Sequence, residues 1–382
     1  MKNILITGAK GFIGKNLIAE LNNRNLYYLQ KNSGLEPLYK ILEFDLDSTL
    51  DDLKTFTKEC DFVCHLAGVN RPKNESELME CNFGFTSELL DLLKIAGNKA
   101  PILITSSIQA TLDNTYGKSK KAGEDLLFEY AYETGSKVLV YRLPNVFGKW
   151  CKPNYNSVVA TFCYNIAHDL EIKVNDRSYE MDLVYIDDVV KEFINAIEAK
   201  ENKNDKFCSV LIEYHCILGE IVDLLYSFKE SRKNLMVPDM SDEFTKKLYS
   251  TYLSYLPKDY FSYPLKINGN NRGSFTEILK SQDRGQVSVN ILKPGITKGN
   301  HWHHSKNEKF LVVSGKGVIR FRKINSNEVL EYFVSLEKLE VVDIPPGYTH
   351  NIENLGDTDM VTIMWVNEIF DPNNPDTYFM EV

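Results

Sequence analysis

The first fourteen residues constrain the fold more than any other stretch of the chain. An apolar run, Ile4-Leu5-Ile6, leads into Gly8-Ala-Lys-Gly11-Phe-Ile-Gly14, and the residues that follow read as a helix. A strand that turns through glycines into a helix is the opening of a βαβ unit. Glycines let the backbone approach a pyrophosphate, and the helix N-terminus offers unpaired N–H groups to its charge. The spacing is GxxGxxG rather than GxGxxG. Further apolar runs follow at Tyr27-Tyr28-Leu29, Phe62–Leu66, Ile102-Leu103-Ile104 and Val138–Tyr141, with helical stretches between them. Helical patterning continues over Asp187–Ala199 and Leu218–Phe228. Continuous apolar strands alternating with helices predict a doubly wound parallel α/β sheet covered on both faces.

The texture changes from about Phe275. Val287–Leu292, Phe310–Val313, Val318–Phe321, Val341–Ile344 and Val361–Trp365 are short β-patterned runs broken by Gly, Pro and Asn turns. Many short strands with such turns predict an all-β barrel of jelly-roll type. Tyr, Pro, Asn and Gly cluster between Leu256 and Gly273, which places the join there and divides the chain into domains 1–258 and 259–382. A length of 382 residues, 43% hydrophobic and 25% charged, suffices for two packed cores. The net charge of -9 speaks against nucleic acid as a partner. No apolar run reaches membrane-spanning length, and the apolar part of Met1–Gly8 is too short for a signal peptide. The seven cysteines form no CxxC pair, which is the usage of reduced thiols in a cytoplasmic protein.

Three groups of residues point to chemistry. In dinucleotide folds an acid at the end of the second strand binds the ribose of NAD. The expected place reads Leu29-Gln30-Lys31-Asn32, with no acid, and Lys10 stands inside the glycine loop. Two cations, Lys10 and Lys31, and no carboxylate predict recognition of a 2′-phosphate, hence NADPH. Next, Thr105-Ser106-Ser107 ends an apolar strand, and Tyr116 and Lys120 follow at i and i+4, on one helix face. An ammonium lowers a tyrosine pKa, so the phenol can exchange a proton with a carbonyl oxygen that a serine hydroxyl steadies. Finally, His301, His303, the adjacent His304 and Glu308 fall within eight residues, and Pro345-Pro346-Gly347 leads to His350. Imidazoles and a carboxylate form the mixed N/O donor set of zinc or another borderline divalent cation. Spacing leaves open whether three or four side chains ligate, or whether the histidines are hydrogen-bonded core residues with no metal. His304 breaks the alternation and is expected to point away.

These pieces resemble known families. Thr7–Gly14, Asp45-Leu46, His65-Leu66-Ala67-Gly68, Ser106-Ser107, Tyr116 with Lys120, Arg142–Gly148 and Tyr185–Val189 make residues 1 to about 250 similar to an extended short-chain dehydrogenase/reductase of the nucleotide-sugar group, with a Rossmann-type sheet. That resemblance implies Ser107, Tyr116 and Lys120 as catalytic residues. It implies that Gly8, Gly11, Phe12, Ile13 and Gly14 hold the dinucleotide, with Leu66, Ala67, Gly68, Tyr116, Lys120, Pro144 and Asn145. It places Asp45, with Leu46 beside it, after the third strand and against adenine. Dehydratases of that group carry an acid pair where this chain has Ile108-Gln109-Ala110, so keto reduction is expected instead.

Gly295, His301-x-His303, Glu308 and Gly315, then Pro345-Pro346-Gly347, His350 and Asn354, match both cupin signatures over about 275 to 382. The resemblance implies His301, His303, Glu308 and His350 as metal ligands. A nucleotide-sugar reductase fused to a metal cupin resembles the bifunctional capsular polysaccharide enzymes of the UDP-N-acetyl-L-fucosamine pathway. It implies that the cupin epimerises C3 of a UDP-2-acetamido-2,6-dideoxy-4-hexulose. The reductase then reduces the C4 ketone with NADPH to UDP-N-acetyl-L-talosamine, a precursor of UDP-N-acetyl-L-fucosamine for capsule or O-antigen. A zinc ion, a UDP-linked keto-deoxy-hexosamine substrate and a homodimer are implied as well. His303, His304 and Tyr348 are the candidates for moving the C3 proton. One competing reading makes the cupin a non-catalytic dimerisation and sugar-binding module, and another makes it a dioxygenase.

Overall fold

The structure is a computed structural model and describes residues 1–72, 74 and 76–382. The chain forms two compact units, Met1–Leu225 with Lys247–Leu256, and Tyr226–Lys246 with Pro257–Val382. Among the described residues no helix is long and apolar enough to cross a membrane.

The first unit opens with β1 (Lys2–Thr7), α1 (Phe12–Lys31), β2 (Tyr39–Phe44), α2 (Leu50–Glu59) and β3 (Phe62–His65). It continues with α3 (Ser76–Met79), a π-helical turn (Glu80–Gly84), α4 (Phe85–Ala96), β4 (Ile102–Ser107), α5 (Thr115–Thr134), β5 (Val138–Leu143) and β6 (Asn145–Phe147). Then come α6 (Val158–Ala167), β7 (Glu180–Tyr185), α7 (Ile186–Ile197), β8 (Lys203–Asn204), β9 (Phe207–Cys208) and β10 (Tyr214–Ile217). The division between the units falls within α8 (Leu218–Asn234) and α9 (Glu243–Leu253).

Seven strands form one sheet in the order β2-β1-β3-β4-β5-β9-β8, parallel except for the β8–β9 pair. Strand side chains alternate between faces. Ile4, Ile6, Leu103 and Tyr141 pack with Leu17 and Leu21 of α1 and Phe193 of α7. Leu5, Val63, Ile104 and Val140 pack with Leu53 of α2, Leu89 of α4 and Tyr130 of α5. The sheet is therefore covered on both faces, as the continuous apolar runs predicted.

The expected second strand is corrected. Tyr27-Tyr28-Leu29 is helical, in the last turns of α1. No glycine or proline interrupts residues 15–33, so nothing stops the helix early. Leu17 and Leu21 already bury its inner face, and Tyr27 points outward, 60% exposed. The true second strand, β2, lies at the sheet edge. Its run Tyr-Lys-Ile-Leu-Glu-Phe mixes charges with apolar residues, as edge strands do, and so lacks the continuous apolar signal. Asp45 thus follows the second strand, not the third.

The second unit contains β11 (Ile267–Asn270), β12 (Gly273–Ser281), β13 (Gly285–Leu292), β14 (Thr297–Trp302), β15 (Glu308–Ser314) and β16 (Lys316–Lys323). After them come β17 (Val329–Ser335), β18 (Val342–Ile344), β19 (Tyr348–Asn354), β20 (Met360–Val366) and β21 (Tyr378–Phe379). One sheet runs β11-β12-β13-β20-β15-β18 and the other β17-β16-β19-β14-β21, and the pairings are antiparallel. Leu292, Phe310, Val312 and Met360 from one sheet pack with Ile319, Phe321, Val334 and Ile352 from the other. This is the all-β barrel that the turn-punctuated runs predicted.

One glycine fixes how α1 leaves the first loop. A Cβ on Gly14 would stand 2.3 Å from the Gly8 carbonyl oxygen and 2.7 Å from that of Ala9. Gly14→Ala is expected to destabilise the first unit by about 1–3 kcal/mol through overpacking. Chemical denaturation checks this, and an unchanged midpoint would show that the loop yields without cost.

Candidate active site and candidate metal centre

The carboxyl ends of β1 to β5 lie along one edge of the parallel sheet, where open α/β sheets bind ligands. The glycine loop follows β1, Asp45-Leu46 follows β2, Leu66-Ala67-Gly68 follows β3, Ser107 ends β4 and Pro144-Asn145 follows β5. Gly8 has a φ of +71°, and an added Cβ would meet the Ala67 nitrogen at 2.8 Å. The loops after β1 and β3 therefore touch backbone to backbone. Phe12 and Ile13 open α1 and pack on the sheet core. The N-cap of α1 is Gly11, with no side-chain cap and no acidic residue in the first turn. Its N–H groups stay open to a pyrophosphate, so these residues fit a dinucleotide.

The two lysines assigned to a 2′-phosphate do not converge there. Lys31 ends the twenty-residue helix α1, about 30 Å from the loop by helical rise. Its ammonium lies 4.3 Å over the Tyr27 ring. Lys10 is in the loop, but its Nζ pairs with Asp47 and its N–H donates to Asp45 Oδ2 at 2.7 Å.

Tyr116 and Lys120 lie on the first turns of α5, whose N-cap Asn114 accepts from the Gly117 N–H. The Tyr116 hydroxyl donates to Asn70 Oδ1 at 3.1 Å, and the Ser107 side chain lies near enough to it to favour its ionised form. Burial raises the tyrosine pKa against the effect of Ser107. Lys120 Nζ donates to the Thr105 carbonyl at 3.3 Å, and burial pushes its pKa down to about 8. That ammonium is also what a Cβ on Gly68 would meet, at 3.0 Å. Ser107, Tyr116, Lys120 and the loop after β3 are thus brought together.

Asn82 supports this arrangement without any motif to mark it. It accepts the Val69 N–H at 2.8 Å and donates to the Val69 carbonyl and Ser119 Oγ, both at 3.1 Å. It sits in the π-helical turn, a form that is frequent at functional sites. Next to Ser107, Ser106 Oγ donates to the buried Glu124 at 2.6 Å, and Arg142 donates to both oxygens of that carboxylate.

In the second unit, His301 lies in β14, His303 just past its end, Glu308 at the start of β15 and His350 in β19. His301 stands opposite His350 in the β14–β19 ladder, set there by a bulge between Gly299 and His301. Gly299 has a φ of +104°, and a Cβ on it would meet the His350 carbonyl oxygen at 2.8 Å. One ligand atom from each of His301, His303, Glu308 and His350 lies within 4.8 Å of all the others. His350 Nε2 is 3.2 Å and His303 Nε2 3.5 Å from Glu308 Oε2. Neither contact is aligned as a hydrogen bond. His303 Nε2, Glu308 Oε2 and both ring nitrogens of His350 are buried without a partner. Such atoms are costly to bury, and lone pairs converging on one point are satisfied by a cation. The residues therefore fit a divalent metal ion.

The protonation states of His301 and Glu308 agree with that reading. Burial and the neighbouring His350 push His301 down to about 4, so its ring is neutral. Burial works to raise Glu308, but the facing His303 and His350 imidazoles hold its carboxyl down to about 2. Burial lowers His303, yet Glu308 and the Asp376 carbonyl leave it raised overall.

Asp376 clamps the motif from a distant part of the chain. His303 Nδ1 donates to the Asp376 carbonyl oxygen at 2.6 Å. A carbonyl only accepts, so Nδ1 bears the proton, and in the neutral ring Nε2 would then present its lone pair to the cluster. The Asp376 carboxylate accepts from the backbone N–H groups of His304, Ser305 and Lys306, each at 2.9 Å. These donors hold its pKa well below the usual carboxylate range, against burial. His304 itself is exposed and packs edge-on against Trp302 and Tyr378. Tyr348 packs on the barrel core, two residues from His350 on β19.

A polar wall adjoins the cluster. Gln286, Ser288, Asn290 and Thr362 are buried. Val366 of β20 stands opposite both Gln286 and Glu308, so these three share one row across the sheet. Lys298 Nζ donates to Asn290 Oδ1 at 2.9 Å, whereas Gln286 Oε1 and Thr362 Oγ1 have no partner. The run from Gln286 to Leu292 alternates like an ordinary strand whose valines face inward. Its phase is reversed, and the polar residues face in.

Residues 4–208 match the family described as NAD dependent epimerase/dehydratase family, and residues 268–378 the one described as Polysaccharide biosynthesis C-terminal domain. The chain belongs to the NAD dependent epimerase/dehydratase family. Over its full length it is CapF-like. It is similar to the crystal structure of capsular polysaccharide assembling protein CapF from Staphylococcus aureus, with 58% identity, a TM-score of 0.92 and 100% of both chains covered. A structure of CapF with the inhibitor 3-isopropenyl-tropolone shares 55% identity, with a TM-score of 0.87 and the same coverage. The UDP-2-acetamido-2,6-beta-L-arabino-hexul-4-ose reductase of Pseudomonas aeruginosa is 44% identical over 379 residues, 99% of this chain and 98% of its own.

In this CapF-like chain, Asp376→Ala removes the carboxylate that ties residue 376 to the backbone of residues 304–306, loosening the carbonyl that orients His303, and is expected to lower divalent-metal affinity about 10–100-fold. Competition with a chelator measures it, and unchanged affinity would show that the clamp orients nothing.

Proposed function

We propose that this chain is a bifunctional nucleotide-sugar enzyme of capsule synthesis. The second unit epimerises C3 of a UDP-2-acetamido-2,6-dideoxy-4-hexulose, and the first reduces the C4 ketone to give UDP-N-acetyl-L-talosamine. The observation that carries this reading is one chain holding both Ser107, Tyr116 and Lys120 beside a dinucleotide loop and a buried His/Glu cluster with unpaired lone pairs. The name of the Pseudomonas relative supports a 4-keto UDP-sugar as substrate. The inhibitor in the CapF structure supports the metal centre, because a tropolone presents adjacent carbonyl and hydroxyl oxygens, a chelating pair.

A 4-keto group acidifies the C3 proton. Its removal leaves an enolate, and reprotonation from the opposite face inverts C3. His301, His303, Glu308 and His350 would hold a divalent cation, zinc by their donor types, which supplies Lewis acidity toward the ketone oxygen. Asp376 and the Gly299 bulge fix the imidazoles. Gln286, Ser288, Asn290 and Lys298 offer amide, hydroxyl and ammonium contacts to a polyhydroxylated ring. Both nitrogens of His303 are committed, and His304 packs outside the cluster. Tyr348 is then the remaining candidate for moving the C3 proton.

In the first unit a bound nicotinamide dinucleotide supplies hydride to C4. The proton for the C4 oxygen comes from Tyr116, whose raised pKa keeps the phenol protonated until charge develops on the ketone oxygen. Ser107 steadies that oxygen, and Lys120 holds positive charge beside it. Reduction removes the ketone and traps the inverted C3.

Tyr116→Phe is expected to lower reduction by about 10²-fold or more while leaving C3 exchange intact. His350→Ala should abolish the exchange. Proton NMR of the 4-keto sugar in deuterated water, without dinucleotide, reads exchange, and dinucleotide absorbance reads reduction. Loss of exchange in folded Tyr116→Phe would mean one shared site. Retained exchange in His350→Ala would place epimerisation elsewhere.

A further inference from the structure

We propose that Gln286 recognises the 2-acetamido group of the sugar whose C3 is inverted in the second unit. The proposal rests on the epimerase reading of the His/Glu centre and names the substituent that this site selects. Gln286 lies on β13 and is 2% exposed. Its Nε2 donates to Ser288 Oγ at 3.1 Å, while its Oε1 is buried with no partner. A buried amide satisfied at one end only is costlier than an apolar side chain of similar size, and a ligand that completes it removes that cost. If the amide is turned over, Ser288 donates to Oε1 and Nε2 becomes the open end. In either setting one end is held and the other is open.

The sheet register puts this amide in the row of the carboxylate ligand. Val366 of β20 is opposite Gln286 on one side and Glu308 on the other. Gln286 and Glu308 therefore stand on the same face of one row, two strand spacings or about 10 Å apart at the backbone. The next row aligns Ser288, Met364 and Phe310, and the one after it Asn290, Thr362 and Val312. Thr362 Oγ1, the other open atom of this wall, is thus about 14 Å farther along the strands and belongs to a different contact.

The reaction then selects the group. The C4 ketone must reach the centre formed by His301, His303, Glu308 and His350, and C3 is the reacting carbon. C2 lies on the other side of C3 from that ketone. Its substituent is therefore out of reach of the ligands themselves and within reach of a residue along their row. An acetamido group has one N–H and one carbonyl, so it complements a side-chain amide whichever end is open. The other substituents do not. The C6 methyl has no hydrogen-bonding atom. The diphosphate, with only acceptors and negative charge, is matched by cations, and the wall's lysine, Lys298, is engaged by Asn290 Oδ1 at 2.9 Å. The C3 hydroxyl is vicinal to the ketone and lies nearer the ligands. A site built to hydrogen-bond one group rejects an analogue that lacks it, because the buried amide is then left unpaired.

Exchange of the C3 proton in deuterated water tests the proposal, without dinucleotide and on the full, metal-loaded chain. It is compared for UDP-2-acetamido-2,6-dideoxy-4-hexulose and its 2-deoxy analogue, UDP-2,6-dideoxy-4-hexulose. In the unaltered chain kcat/KM is expected to favour the acetamido sugar by about tenfold or more. Gln286→Met should lower that ratio by about tenfold, the equivalent of one neutral hydrogen bond. Ser288→Ala frees the held end of the amide and should lower the ratio in the same direction. It decides the matter if Gln286→Met fails to fold or to exchange. Equal kcat/KM for the two sugars in the unaltered chain, or a ratio unmoved by the substitutions, would overturn the role of Gln286 and leave the epimerase reading standing. Absence of exchange with either sugar in the unaltered chain would overturn that reading, and this proposal with it.

Discussion

Three imidazoles and a carboxylate are held inside an antiparallel barrel with their lone pairs turned toward one another. Removing such groups from water is costly unless something satisfies them. Much of the second unit is arranged around that cost. The bulge at Gly299 sets His301 opposite His350, and the Asp376 carbonyl fixes the tautomer of His303. The Gly347 N–H donates to the His303 carbonyl at 3.0 Å, which ties the Pro-Pro-Gly turn to the motif. An apolar core of Phe310, Phe321 and Ile352 gives the cluster its dry wall. A cation bound by these four groups adds its binding free energy to folding, so the same residues that make the centre reactive would also stabilise the barrel.

What could be read from the sequence was what is local in it. The glycine loop, the Tyr116 and Lys120 pair and the His301–Glu308 motif each span a few residues, and a single turn or one helix face brings their members together. The α/β sheet covered on both faces and the barrel were legible for the same reason, because burial imposes continuous apolar runs on one and alternation on the other. β2 was not legible. An edge strand needs less apolar surface, and the amphipathic end of α1 imitated it. Asp376, Asn82 and the polar wall were hidden because they act across long stretches of chain, and no periodicity relates Gln286 to Glu308. The wall also inverted the usual inference that the apolar residues of an alternating strand face the core.

The two proposed chemistries depend on each other through the ketone. Only a 4-keto sugar has a C3 proton acidic enough to exchange, and only while the ketone survives is that inversion reversible. Hydride transfer destroys the activating group. In the proposed division each unit holds the residues for its own step, with a protonated phenol at Tyr116 for the reduction and a deprotonated Glu308 beside the neutral His301 ring for the epimerisation. Opposite protonation demands are met by separate environments instead of one compromise site.

Reduction of the 4-keto UDP-sugar by the intact, metal-loaded chain in deuterated water, with an unlabelled nicotinamide dinucleotide, tests the whole account in one product. The account predicts deuterium at C3, from solvent during inversion, and protium at C4, from the dinucleotide. A C3-inverted product that retains the original C3 hydrogen would contradict it, because inversion would then have occurred without the proton exchange assigned to the His/Glu centre.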